Sequence, residues 1–213
     1  MKKKLWCVMI PKGKLLVFAL VVMMLLVACG STATPSVQDG GSVRGRINGN
    51  TYTNDFFQLS LTLPRAWQFQ DDASIAEMRG LDRKRYNFDE NGASLIDMVA
   101  IQNVTYANIA IQIDDTSQFP DGIAISYLEI MEAKQRDLAS HGVEITIRDT
   151  EEITIRGNTY QLFHTYNYTR AWAHQIEQHF LLRRQGNYLI SIVIATPIDD
   201  SIISFGRIIT YFH

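Results

Sequence analysis

Period-two alternation dominates the second half of the chain. From Asn158 to Tyr168 one set of alternate positions carries Tyr160, Leu162, His164, Tyr166 and Tyr168; from Trp172 to Arg184 one set carries Trp172, Ile176, Phe180 and Leu182. This is the spacing of strands that bury one face. The run Tyr188–Ala195 is apolar at nearly every position, which predicts a strand covered on both faces and therefore central in its sheet. Upstream, Phe57–Leu63 alternates strictly until Pro64, which has no N–H for a sheet ladder. Trp67 and Phe69 follow as caps on the core, and Leu95–Val104 and Ala107–Asp114 read as a strand pair. Val143–Arg148 and Glu152–Arg156 read as two short strands, with Arg156-Gly157-Asn158 as the turn into the alternating region.

The period becomes helical in three places. Asp71–Arg79 predicts a short helix with Ser74 and Glu77 at capping-box spacing. Ile123, Tyr127, Ile130, Met131 and Leu138 mark one face of a longer helix, closed at His141-Gly142. Pro197–Asp200 opens a last helix with Ile202, Phe205 and Ile209 on one face. Strands joined by tight turns, with helices at separate points, give an α+β fold: a mainly antiparallel β-sheet with helices packed on it. The carrying residues of a family likeness are Tyr52-Thr53-Asn54 with the strand to Leu63-Pro64 and Trp67, the helix Tyr127–Leu138 with Gly142, Ile155 to Tyr160, and Gly186 to Ile190. In this order they resemble the PsbP-like α/β/α sandwich, named for an extrinsic photosystem II subunit. They are more similar still to uncharacterised extracytoplasmic lipoproteins of Gram-positive and related bacteria. The resemblance implies fold and location; no ligand motif of the photosynthetic protein has a counterpart here.

The N-terminus changes the picture of where this fold works. Lys2, Lys3, Lys4, Lys12 and Lys14 precede an apolar run from Leu15 to Val27. The run is shorter than the roughly 20 residues that span a bilayer as a helix, and it fits the apolar region of a secretory signal. Leu26-Val27-Ala28-Cys29, followed by Gly30-Ser31, resembles the lipobox of bacterial lipoproteins. That resemblance implies cleavage before Cys29, a diacylglycerol on its thiol and stable anchoring by more than one acyl chain. The expected organisation is a signal peptide at 1–28, a lipidated cysteine and flexible tether at 29–50, and one α+β domain at 51–213. A polar tether of that length has a root-mean-square reach of about 25 Å. The expected location is the extracytoplasmic face of the cell membrane.

Charge and cysteines follow from the cleavage. The full chain has 20 Lys+Arg against 22 Asp+Glu; removal of five lysines leaves 15 basic residues and a formal charge of −7. A nucleic-acid binder would carry a net basic surface, so that class is excluded. Cys7 leaves with the signal and Cys29 is consumed by lipid, so no disulfide is expected even in an oxidising compartment. The core has to hold itself together.

Little in the sequence points to catalysis or a cofactor. There is no Gly-x-Ser-x-Gly elbow, no Walker A motif and no dinucleotide glycine pattern; no catalytic residue, cofactor or metal is expected. His164, His174 and His179 are the metal-type candidates, with His164 and His174 expected on one face of neighbouring strands and His179 on the other. A zinc site needs three or four converging ligands, so the expected role of these histidines is hydrogen bonding within the sheet. Tyr166, Tyr168 and Trp172 flank a turn and form a candidate interaction surface, since aromatics are enriched in binding hot spots; core packing is the competing role. Arg79, Arg83, Lys84 and Arg85 form the one dense basic run, suited to a solvated loop or to anionic headgroups. The functional expectation is a non-catalytic membrane-anchored lipoprotein that contacts an envelope protein or glycan. The alternative is a lipoprotein that binds a small molecule or metal between sheet and helix.

Overall fold

A computed structural model describes residues 43–78, 94–118, 125–140, 144–168, 175–198 and 203–213. A small antiparallel sheet comes first: β1 (Arg46–Asn48), β2 (Thr51–Asn54) and β3 (Leu59–Thr62), in that order. The main sheet has seven strands: β4 (Trp67–Phe69), β5 (Ser94–Gln102), β6 (Asn108–Asp115), β7 (Glu144–Ile155), β8 (Asn158–Tyr168), β9 (Gln175–Gln185) and β10 (Tyr188–Pro197). Their order is β4-β5-β6-β10-β9-β8-β7, and every pairing is antiparallel. The most apolar run, β10, takes the middle position, hydrogen-bonded on both sides and buried along nearly its whole length. Among the described residues there are three α-helices: α1 (Asp72–Met78), α2 (Tyr127–Ser140) and α3 (Phe205–Ile209).

Alternation sorts the sheet's side chains into two cores. On one face Ile109, Ile111, Ile190, Ile192, Ile194, Leu162 and Leu181 pack against Tyr52, Leu59 and Leu61 of the small sheet and Ile208 of α3. On the other, Val99, Ala110, Phe163, Phe180 and Val193 pack against Ile75 of α1 and Met131 of α2. The result is three layers, with the seven-stranded sheet between two helices and the small sheet plus α3. Burial on both faces explains why β10 tolerates so few polar residues.

Several local expectations shift for identifiable reasons. The segments read as two short strands are one strand, β7, because a bulge between Ile147 and Asp149 absorbs the break in alternation. The β7–β8 turn closes on Ile155 and Asn158, with Arg156 at φ 51° and Gly157 at φ 80°, as a two-residue turn with two left-handed centres requires. α1 is capped by Asp71 rather than Ser74: the Asp71 carboxylate accepts from Ser74 N at 2.7 Å. The capping box lies instead at α2, where Ser126 N donates to Glu129 Oε2 at 2.7 Å and Glu129 N donates to Ser126 Oγ at 3.2 Å. Pro197 ends β10 rather than opening a helix, and α3 begins at Phe205 behind an N-cap at Ser204. After α3 the chain joins the small sheet: Thr62 N donates to Tyr211 O, His213 N donates to Ser60 O, and Phe212 bridges Leu61.

Part of the polar stretch before Thr51 is hydrogen-bonded to the fold. Hydrogen bonds rather than apolar burial order this stretch. Gly45 N donates to Asp97 Oδ2 at 2.7 Å, and Arg44 bonds both Asp97 and Asp72. A Cβ at Gly45 would lie 2.3 Å from the Tyr52 ring. Gly45→Ala is therefore expected to cost about 1–3 kcal/mol by overpacking, seen as a lower midpoint in chemical denaturation.

Candidate functional site

Strand register divides the sheet into two ends. The β9–β10 and β7–β8 turns lie at one end, together with the β2–β3 turn, since Arg183 and Gln185 donate to Phe57 O and Phe56 O and Asn158 donates to Gln58 O. Chain segment 43–45 joins the fold at this end: Val43 O accepts from Asn54, and Gly45 and Arg44 meet Asp97. The β5–β6 turn, the start of β9 and the end of β10 lie at the opposite end. From β5 to β8 that rim is about 19 Å across at the usual strand spacing.

The β5–β6 turn at this rim is built rigidly and carries apolar side chains outward. The Gln102 side-chain oxygen accepts from Val104 N at 2.7 Å, Thr105 N at 2.5 Å and Thr105 Oγ1 at 2.9 Å. Gln102 O takes Tyr106 N at 3.0 Å, and Ala66 O takes Asn103 N at 3.0 Å. Val104 is nevertheless 73% exposed and Tyr106 49% exposed, the latter in a left-handed conformation at φ 62°. That backbone region is uncommon for a residue with a side chain, and it persists only where the surroundings fix it. Ile198, 39% exposed, follows β10 between this turn and the start of β9.

Near the hairpin the structure brings two histidines face to face. His164 of β8 and His179 of β9 are register partners, with Nδ1 atoms 2.9 Å apart. The expectation that His179 lies on the opposite face from His164 is corrected. Partners in this hairpin sum to an odd number, so residues of opposite parity meet. His164 Nε2 lies 3.1 Å from Glu151 Oε1, and His179 Nε2 lies 3.7 Å from Glu177 Oε1. His179 is 2% exposed, stacked on Phe205 with ring centroids 4.0 Å apart. Burial, and then the neighbouring His164, lowers the His179 pKa from 6.5 to about 4.

This depressed pKa makes stability depend on pH with a definite sign. A neutral buried histidine contributes fully above its unfolded value of 6.5, and the contribution is lost as pH falls through about 4. The loss reaches about 3 kcal/mol at 1.36 kcal/mol per unit. Denaturant unfolding across that window is expected to weaken less in His179→Gln than in the unsubstituted protein.

Of the predicted interaction residues, Tyr166 is half-buried, its ring 4.2 Å from the Arg148 guanidinium and its hydroxyl accepting from Arg148 Nη1 at 2.7 Å. Tyr168 ends β8. Trp172, His174, Cys29 and the run Arg79–Arg85 lie outside the described residues. Among the described residues no three or more His, Cys, Asp or Glu are grouped to hold a metal, and no helix is long and apolar enough to cross a membrane. Val104 and Tyr106 were missed, although an apolar and an aromatic residue within an Asn-Val-Thr-Tyr turn were a visible signal.

No protein-family model and no curated protein matches the chain. Among solved structures, the solution structure of cyanobacterial PsbP (CyanoP) from Synechocystis sp. PCC 6803 matches with a TM-score of 0.50 at 13% identity, over 84% of this chain and 97% of that one. The fold is PsbP-like. A crystal structure from Bacteroides thetaiotaomicron VPI-5482 is also similar, with a TM-score of 0.40 at 12% identity over 78% of this chain and 48% of that one. At such identity the PsbP-like likeness concerns backbone architecture, and the chemistry of the rim and of the histidine pair rests on this chain's own residues.

Proposed function

We propose that the protein is a non-catalytic interaction module, held by lipid on Cys29 at the extracytoplasmic face of a bacterial cell membrane, that binds a protein partner through the rim formed by the β5–β6 turn and the adjoining ends of β8, β9 and β10. One observation carries the reading: the chain joins the fold at the end opposite a rigid turn that exposes Val104 and Tyr106. A domain tethered from the first end presents the second away from the tether. The turn's neighbours Asn103, Thr105 and Asn108 are uncharged, which favours an apolar pocket on a protein over anionic headgroups. A braced apolar tip loses little conformational freedom on binding.

The test is in-cell cross-linking with mass spectrometry, comparing the unsubstituted protein with a Val104→Ser, Tyr106→Ser double variant. One abundant cross-linked protein, lost in the variant, is the expected result. Identical cross-links in both, or none while the anchored protein is plentiful, would sink the reading. The Val104→Ser exchange alone is expected to change stability by less than about 0.5 kcal/mol, so loss of binding is separable from unfolding. Metabolic palmitate labelling abolished by Cys29→Ser checks the anchor independently.

A further inference from the structure

The Glu151, His164, His179 and Glu177 side chains form a directional chain on one face of the sheet. A carboxylate only accepts, so the His164 Nε2 facing Glu151 at 3.1 Å carries the hydrogen. With both rings neutral, His164 Nδ1 is then an acceptor, and His179 Nδ1 donates to it across 2.9 Å. His179 Nε2 is left bare, buried and without a hydrogen-bond partner among the described residues, facing Glu177 Oε1 at 3.7 Å. Two acceptors face each other there, which accounts for a separation too long for a hydrogen bond. A proton added at Nε2 turns this opposition into a charge-assisted hydrogen bond, which closes to about 2.7–2.9 Å.

Glu177 is also the register partner of Tyr166, on the same face. We propose that this chain is a proton-operated latch on the Tyr166 side of the rim: proton uptake by the histidine pair, which places a hydrogen on His179 Nε2, draws Glu177 toward the histidine and away from Tyr166, weakening partner binding in acid. The proposal rests on the interaction reading above for its biological effect, but not for the movement itself. The groups that bear on His179 are His164 and Tyr166 of β8, Arg148, Asp149 and Glu151 of β7, and Glu177 of β9. β10 presents apolar Ile194, and α3 presents Phe205, with its Arg207 exposed.

The experiment is an NMR titration of the folded protein following the His179 ring nitrogens and the Tyr166 ring protons, repeated in His179→Gln and Glu177→Gln. At neutral pH His179 is expected to be protonated at Nδ1 alone. On acidification Tyr166 is expected to shift as His179 Nε2 gains its hydrogen, and that shift to vanish in both variants. Glu177→Gln alters a partly exposed side chain and keeps the variant series interpretable if His179→Gln folds poorly. A His179 protonated at Nε2 at neutral pH, or a Tyr166 that ignores the His179 titration, overturns the latch whatever the partner proves to be. Cross-linking at neutral and acidic external pH then separates the two readings. Yield that falls in acid and becomes pH-independent in Glu177→Gln supports regulation; equal yield at both pH values overturns it and leaves the interaction standing. No cross-link at either pH removes the interaction reading, and the proposed regulation with it, while leaving the titration result intact.

Discussion

Asp97→Ala is expected to lower the unfolding free energy by about 2–5 kcal/mol, from leaving two donors unsatisfied at about 1–3 kcal/mol each. The Asp97 side chain is fully buried in β5, at the bulge between Ile96 and Met98. Its Oδ2 accepts from Gly45 N at 2.7 Å, Tyr52 Oη at 2.7 Å and Asn54 Nδ2 at 3.4 Å, and its Oδ1 accepts from Arg44 Nε at 3.2 Å. Burial, and then the charge of Asp97, pushes the Tyr52 hydroxyl well above its ordinary pKa, so it remains a donor. Alanine leaves Gly45 N and the Tyr52 hydroxyl without this acceptor, while Asn54 keeps Val43 O and Arg44 keeps Asp72. Urea denaturation followed by tryptophan fluorescence measures the loss. A change under about 1 kcal/mol would mean that water or a neighbouring group replaces the carboxylate.

Asp97→Asn separates charge from shape at the same site. An amide has one acceptor atom where the carboxylate has two. If that oxygen meets Gly45, Tyr52 and Asn54, the amide NH₂ faces the Arg44 guanidinium; if it turns, three donors face the NH₂. Either way the expected cost is about 1–3 kcal/mol, below that of alanine. Arg44 and Gly45 are also what holds chain segment 43–45 against the fold.

The sheet was legible in the sequence because its physics is local. Period-two alternation marks β8 and β9, and the unbroken apolar run Tyr188–Ala195 gives the central strand, since only a strand with two covered faces tolerates it. The histidine pair was not legible, because the face on which His179 meets His164 depends on the length of the hairpin loop, and one residue more or less exchanges the faces. β7 was cut in two for a related reason: a bulge resets the alternation without ending the strand. Asp97 left a readable mark as a lone acid within Leu95-Ile96-Asp97-Met98-Val99. Its donors are distant in sequence, however, and nothing local names Gly45 as one of them. The rim depends on topology, which places the β5–β6 turn and the adjoining ends of β8 and β9 at one end of the sheet only after all seven strands are ordered.

Phe180→Ala is expected to cost about 3–5 kcal/mol, in the range for emptying a buried aromatic site. Phe180 is fully buried on the helix face of β9, opposite Phe163 of β8 and beside Val193 of β10, in the cluster that includes Met131 of α2. The layer cannot easily close over the gap. Two residues along the same face the buried side chains become polar, with Gln178 opposite Thr165 and bonded to Asn167. A collapse of α2 into the cavity would draw it against those groups. Phe180→Leu retains most of the volume and is expected to cost less than half as much. The comparison also tests how the two faces are coupled. His179 and its hydrogen-bond chain point to the opposite face, so NMR of Phe180→Leu is expected to show the same His179 tautomer and titration midpoint as the unsubstituted protein. A displaced midpoint would show that packing beneath α2 positions the histidine pair through the β9 backbone, making the helix layer part of the proton-sensing arrangement.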